Sequence, residues 1–424
     1  MVTDQPRILA IADSDSYVKW GAALLSRAPS DWDRRLLVLA SPVLPSADQL
    51  SVALADMDDG IEKPAIVDLS ALAVRVRGMQ PDAVLISVRG PLVKVVVRAV
   101  VAATTVRPVI VTGLPGISVP ATRMAIAHRA QADLFVLHSH REVREFSALA
   151  ERMRVTQSFG LATLPFLQDP VTATCSTGDI IFAAQAKVPV EKSDRLTLLG
   201  WLAESARQDP SRRVVVKVRA QPGEYQTHAE THDYAQLMTE LLPPPPANLV
   251  IEGGPMSVHL AGASGLVTVS STAAIEAVAF GRPVLALDDF GVAPSLINTV
   301  FEGSGLFGRA ADLIAGRFMQ PAPDWLSNNY FHGVDSDTWV EKLRALLVAR
   351  SSGVFPLKSL HRGIAGGRLR RAWDRKRALG RFDRSWVGIV ALAVGMPSMV
   401  AFRSMRRLRR VIRRTRTTSD HPAQ

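Results

Sequence analysis

The chain has 424 residues, 47% of them hydrophobic, and a formal net charge of +11. That length suits two domains with cores of their own, and a single Cys, Cys175, excludes a disulfide framework or a thiolate metal cluster. Residues 356–424 hold 18 Lys and Arg against 3 Asp, leaving 32 basic and 36 acidic residues in 1–355; this balance argues against a nucleic-acid partner for the body and for a basic appendage facing an anionic surface.

The N-terminus, MVTDQPRILAIAD, has no basic stretch before an apolar one, so a cytoplasmic location is expected. RILAIAD, ending at Asp13, reads as the first strand, followed by a loop and helix through SDSYVKWGAALLSR. RLLVLA, AIVDL, PDAVLISV, PVIVTG and DLFVLHS read as further strands, with DQLSVALADM, PLVKVVVRAVVAA and REVREFSALAERM as helices between or after them. This alternation predicts a parallel sheet covered on both faces. Residues 155–177 break the rhythm with two Pro and a Ser/Thr-rich end, and are expected to be the linker.

The pattern restarts with GDIIFAAQ, RRVVVKVR and NLVIEGG as strands and helices between them. Residues 265–290, GLVTVSSTAAIEAVAFGRPVLALDDF, then read as strand, Ser-Ser-Thr turn, helix, Gly-Arg-Pro break and strand. Such a unit aims a helix N-terminus past the carboxyl edge of the sheet, where an anion binds readily. Ser and Thr are also ordinary N-caps, so the pattern serves a plain buried unit equally well. SLINTVFEG and WVEKLRALLVAR read as helices. The expected domains are 1–165 and 178–350, two Rossmann-like doubly wound α/β halves facing across a cleft, with a tail from 356 to 424.

At the ends of these strands stand the candidate site residues. Asp13 and Asp15 fall on the first loop of the N-terminal half, where a carboxylate can serve as general base or simply cap the next helix. Gly113 and Gly116 lie in TGLPG, a turn that either admits a close ligand or is a plain connection. His138 and His140 end the sixth strand, where capping is the commoner role; with no third ligand nearby, H-S-H predicts no metal. Glu224 and His228 lie in a polar segment that could line the cleft. Neither G-x-x-x-x-G-K-[ST] nor a G-x-G-x-x-G after the first strand is present, which argues against P-loop and dehydrogenase chemistry.

Ser270-Ser271-Thr272, Glu276 and Gly281-Arg282-Pro283-Val284 together resemble the two-Rossmann (GT-B) glycosyltransferases, in particular bacterial capsule-polysaccharide, sialyl- and polysialyltransferases and the CDP-glycerol transferases of teichoic-acid synthesis. IADSDSYVKW, TGLPGISVPATR, LHSHREVREF and KVRAQPGEYQTH are also similar to a bacterial family described as glycosyltransferases. The resemblance covers residues 7–310. It implies a metal-independent transferase with no cofactor, taking a nucleotide-sugar donor and a cell-surface glycan or lipid-linked acceptor. By it, Ser270, Ser271 and Thr272 would hold donor phosphate, Glu276 a sugar hydroxyl, Lys217 or Arg219 further phosphate, and Asp13 or Asp15 would act as base from the acceptor half. The chain departs from the pattern at Gln221-Pro222, where relatives have His-Pro. That departure keeps a second reading open, a non-catalytic membrane-associated scaffold of a glycan assembly complex; a third, a nucleotide-sugar epimerase, shares the two-domain plan but has no distinguishing residues in this sequence.

In the tail, Leu369, Trp373, Leu379, Phe382 and Trp386 recur at helical spacing among Arg and Lys, as in a basic amphipathic helix. Residues 385–402 carry no charge; as a helix they would be about 27 Å long, short of the ~30 Å hydrocarbon core. The expectation is an interfacial anchor on the inner face of the cell membrane, against the alternative of a final helix packed on the N-terminal half.

Overall fold

A computed structural model describes residues 5–167, 178–185, 188–218, 232–355 and 367–395. The N-terminal half is built on seven parallel strands, β1 (Arg7–Ala12), β2 (Asp33–Leu39), β3 (Ala65–Val67), β4 (Ala83–Ser87), β5 (Val109–Gly113), β6 (Leu134–Leu137) and β7 (Ser158–Leu161), in the order β3-β2-β1-β4-β5-β6-β7. Helices α1 (Asp15–Arg27), α2 (Ala47–Ala53), α3 (Leu69–Met79), α4 (Gly90–Ala103), α5 (Arg123–Arg129) and α6 (His140–Arg152) connect them.

The period of two in a strand explains both faces. In β1, Ile8, Ala10 and Ala12 enter the core under α1 and α2, while Leu9 and Ile11 enter the core under α3 and α4. Both faces are buried, so the strand reads as a continuous apolar run. The Val-rich segment of α4 is helical despite its composition. Val costs a few tenths of a kcal/mol in a helix, whereas burying one contributes about 1.5–3 kcal/mol, and Val93, Val96 and Val100 are wholly buried. On α1, Gly21 lets the helix approach the sheet; a Cβ there would lie 2.8 Å from the Ser87 hydroxyl.

The second half has six parallel strands, β8 (Ile180–Ala183), β9 (Val214–Lys217), β10 (Leu249–Glu252), β11 (Gly265–Thr268), β12 (Val284–Leu287) and β13 (Phe307–Gly308), in the order β10-β9-β8-β11-β12-β13. Around them lie α7 (Lys192–Gln208), α8 (Tyr234–Met238), α9 (Met256–Gly262), α10 (Ala273–Ala279), α11 (Ala310–Ile314) and α12 (Pro323–Asn328). The chain then returns. α13 (Trp339–Ser351) places Trp339 and Leu343 in the core of the N-terminal half, and α14 (Arg368–Leu379) places Ala378 and Leu379 on its opposite face.

Three expectations change. Residues 158–161, assigned to the linker, form β7, because Phe159 and Leu161 complete an edge that α13 covers. SLINTVFEG is not one helix but two short 3-10 turns, Pro294–Leu296 and Thr299–Phe301, interrupted where Ile297 takes a left-handed φ of 58°. α13, grouped by sequence with the second half, lies against the first.

Three polar ties join the halves. Thr163 donates from its backbone and hydroxyl to Asp337, at 2.7 and 3.0 Å. Arg141 donates to the Thr299 and Val300 carbonyls. Glu142, in the first turn of α6, accepts from the backbone of His138 and Ser118, both at 2.8 Å, and from the Tyr330 hydroxyl at 2.7 Å. Burial raises the Glu142 carboxyl to about 7 against these donors. The folded chain thus binds this proton more readily than the unfolded one, where the carboxyl titrates near 4.5. The group therefore removes stability as pH rises from about 4.5 to 7.

Tyr330→Phe is expected to cost about 1–3 kcal/mol in urea unfolding. The loss should be larger at about pH 8, where the carboxylate is ionised, than at about pH 5. An equal loss at both would disconnect Tyr330 from the ionisation of Glu142.

Candidate functional site

In each sheet the strand order reverses once, between β1 and β4 and between β8 and β11. Ligands of doubly wound sheets bind outside the carboxyl ends of the strands at such a point. Each reversal is bridged by a polar pair. Asp13 follows β1, and its two oxygens accept from the backbone N–H and the Nε of Arg89, which follows β4, at 3.2 and 2.8 Å. In the other sheet Ser270, after β11, donates to Gln185 Oε1, after β8, at 2.7 Å.

The Asp13 side chain is wholly buried, and burial pushes its pKa up while Arg89 opposes the shift. The Arg89 side chain keeps 30% of its surface open. Asp13 therefore does not cap α1; it fixes a partly open guanidinium at the head of α4. Asp15 is the first residue of α1 and is half-buried; its carboxylate accepts from the Ser16 hydroxyl at 3.4 Å. The two carboxylates named from the sequence thus separate into one enclosed and one accessible.

Beneath them lies a second polar cluster. The Tyr17 hydroxyl accepts from Arg129 at 2.9 Å, and Arg129 Nε donates to the Gly113 carbonyl at 3.1 Å. Burial raises the Tyr17 hydroxyl, and Arg129 acts against that shift. His138 is also internal. Its Nε2 accepts from Trp20 Nε1 and its Nδ1 donates to the Ala162 carbonyl, both at 2.7 Å. Burial lowers its pKa to about 4. His138 is therefore a neutral core residue, not part of a cleft lining, because both ring nitrogens are occupied. Gly113 has a packing role as well: a Cβ on it would meet the Trp20 ring at 2.2 Å and the Val136 carbonyl at 2.8 Å. His140 is half-buried and lies edge-on to His332, with ring centroids 5.3 Å apart.

In the second half, the Ser271 backbone donates to Thr268 Oγ1 at 2.9 Å, and its own Oγ accepts from the Ala273 backbone at 3.2 Å. These bonds hold the Ser-Ser-Thr turn at the head of α10. Gly281, at a left-handed φ of 65°, ends that unit as the sequence implied. Thr272 makes no capping bond and is half-buried, as is Glu276 on α10. Lys217 ends β9 and is buried. Arg219, Glu224 and His228 lie outside the described residues.

The two halves meet at these ends. A Cβ on Gly116 would lie 3.9 Å from Thr272 Oγ1. Val119, on the same loop, belongs to the core around α10. The TGLPG loop and the Ser-Ser-Thr turn, far apart in sequence, thus form facing walls. Sequence reasoning missed Arg89, Tyr17, Arg129, Glu142 and Tyr330. Of these, only Arg89 carried a usable signal, a basic residue directly before a Gly-Pro helix start at a strand's carboxyl end.

A family model described as "Putative glycosyltransferase (DUF6716)" matches residues 8–346. No curated protein matches the sequence. Among solved structures, a Listeria monocytogenes protein described as a "putative UDP-N-acetylglucosamine 2-epimerase" is similar with a TM-score of 0.50 at 13% identity, over 84% of this chain and 99% of that one. That likeness is one of fold. Phytolacca americana UGT2, in complex with UDP-2fluoro-glucose and pterostilbene, has a TM-score of 0.48 at 9% identity, over 82% and 95%. Neisseria meningitidis UDP-GlcNAc 2-epimerase, bound to UDP-GlcNAc, has 0.45 at 12%, over 82% and 100%.

Asp13→Asn and Arg89→Gln should each cost about 1–3 kcal/mol in urea unfolding, since each strands a polar partner. The double variant should lose less than the sum of the two. Additive losses would show the pair to be uncoupled. Gly113→Ala should be destabilised by a similar ~1–3 kcal/mol through overpacking against Trp20.

Proposed function

The chain belongs to the family whose model it matches, and we propose that it moves a sugar from a nucleotide-activated donor to a hydroxyl of a cell-surface glycan or lipid-linked acceptor. Family membership supports glycosyl transfer in general. The observation behind the finer reading is that each strand-order reversal carries a polar pair, Asp13–Arg89 in one half and Ser270–Gln185 in the other, while the loop after β5 reaches the Ser-Ser-Thr turn, with 3.9 Å from a Cβ on Gly116 to Thr272 Oγ1.

In this reading the donor lies on the second half, its phosphate against the Ser271–Thr272 turn and a sugar hydroxyl near Glu276. The capsule-type motif supports that side. The acceptor enters over the first half. Asp15, the accessible carboxylate, takes the acceptor proton. The acceptor oxygen forms a bond to the anomeric carbon, and the bond from that carbon to the donor phosphate breaks, its electrons leaving with the nucleotide. Arg89 offers positive charge to the phosphate as it departs, and Asp13 holds Arg89 in place. The reaction invokes no metal and no cofactor.

A thermal-shift screen of the full chain against CMP, CDP, UDP, GDP and dTDP, alone and as sugar conjugates, tests the donor site. One nucleotide should raise stability by about 2.7 kcal/mol at a hundred times its dissociation constant. Asp15→Asn should keep that shift and lose about 100-fold or more in transfer rate. Full activity in Asp15→Asn would remove it as base. A cooperative melt with no response to any nucleotide would count against a donor site and favour the non-catalytic scaffold.

A further inference from the structure

Residues 367–395 form a helical hairpin on the outside of the N-terminal half. α14 packs against α4, and a helix over residues 386–395 folds back along it. Gly395 meets the Trp373 ring, so closely that a Cβ there would lie 2.4 Å from it, and Ala391 is buried. The outer side of the second helix is apolar. Trp386 is 74% exposed, Ile389 57% and Val394 60%, and Val390 is exposed beside them. Positions 386, 389, 390 and 394 share one helical face. Four large side chains in one stripe form a patch, unlike the scattered exposed apolar residues that any surface carries.

The charge around the stripe has one sign. Residues 367–395 contain eight Lys and Arg and two Asp. Both carboxylates are turned inward: Asp374 is bound by Lys94, Arg98 and Arg370, and Asp383 by Arg375. What faces outward beside the stripe is Arg381 and Arg384, both exposed. An apolar ridge headed by Trp and rimmed by Arg fits an anionic lipid surface, where the ridge enters the acyl boundary and the guanidinium groups meet phosphate. Trp and Arg are also common at protein interfaces, so a second copy of this chain is the alternative occupant that the test separates.

We infer that this hairpin docks the protein on an anionic bilayer, with Trp386, Ile389, Val390 and Val394 inserted and Arg381 and Arg384 at the headgroups. Among the described residues no helix is long and apolar enough to cross a membrane, and the hairpin lies in the interface plane. Its position follows from the turn after α14. Gly380 approaches Pro42, with 3.4 Å from a built Cβ to Cγ. The neighbouring Ser41 hydroxyl donates to the Asp13 carbonyl at 3.2 Å. The turn of the hairpin therefore lies beside the edge that carries Asp13. That this edge receives a lipid-linked acceptor rests on the proposed transfer; docking itself does not.

Flotation of the full chain with vesicles of phosphatidylcholine, alone or in equal parts with phosphatidylglycerol, tests the inference. The protein should float with the phosphatidylglycerol vesicles, weakly or not at all with phosphatidylcholine, and less at high salt. Trp386→Ser/Ile389→Ser/Val394→Ser alters only exposed side chains. It should bind at least about tenfold more weakly while keeping the wild-type melt and nucleotide response. Arg381→Glu/Arg384→Glu should reduce the preference for phosphatidylglycerol. Wild-type-level binding by the triple variant would overturn the assignment, as would no binding by the wild type. So would a dimer in velocity sedimentation that the triple substitution abolishes, since a second copy would then cover the stripe.

Discussion

The arrangement depends on one carboxylate held where a carboxylate is costly. Glu142 is wholly buried at the junction of the two halves, and its three donors come from the end of β6, the loop after β5 and the returning segment at Tyr330. An ionised group out of water must be fully hydrogen-bonded or give up its charge. With its carboxyl lifted to about 7, Glu142 stands between these outcomes. The loop that approaches Thr272 and the helix start that carries His140 are thus anchored by the same side chain that reaches the second half. The cleft walls take their spacing from a polar contact rather than from apolar packing alone.

The two sheets then solve the same problem in parallel ways. Where strand order reverses, the carboxyl ends of two central strands separate and leave polar backbone without a covering helix. In the first half an acid and a guanidinium close the gap; in the second, a serine and a glutamine. A charged pair leaves a charge to present to a ligand, whereas a neutral pair leaves hydroxyls and backbone dipoles. The walls therefore differ electrostatically although their topology is the same.

The sheets and their helices were legible because a buried parallel strand is a short apolar run and its helices are longer and periodic; β1, α1 and the unit from β11 to β12 follow directly. β7 was missed because a four-residue edge strand in a Pro- and Ser-rich stretch looks like a linker until α13 covers it. The turn at Ser271 was legible because its bonds are local. Arg89, 76 residues from Asp13, and Tyr330, 188 from Glu142, were not. No spacing rule links such positions, since the partner is chosen by the fold. Gly113 carries the opposite lesson: its missing side chain left a ligand contact and a plain turn equally open, and the space is taken by Trp20.

The tail shows why composition alone leaves the direction of an amphipathic helix open. Trp373 and Leu379 share the helical spacing that also includes Leu369. Yet Leu379 enters the core under α4, Trp373 receives the next helix, and Leu369 remains exposed. One sequence stripe is thus divided between the protein, a neighbouring helix and solvent. The division follows from Asp374. A single acid among basic residues is drawn to Lys94 and Arg98 on α4, and this fixes which face of α14 turns inward. Once that face is set, the turn at Gly380 and the close contact at Gly395 set the next helix. Its large side chains are left pointing away from the protein, with the exposed Arg381 and Arg384 beside them.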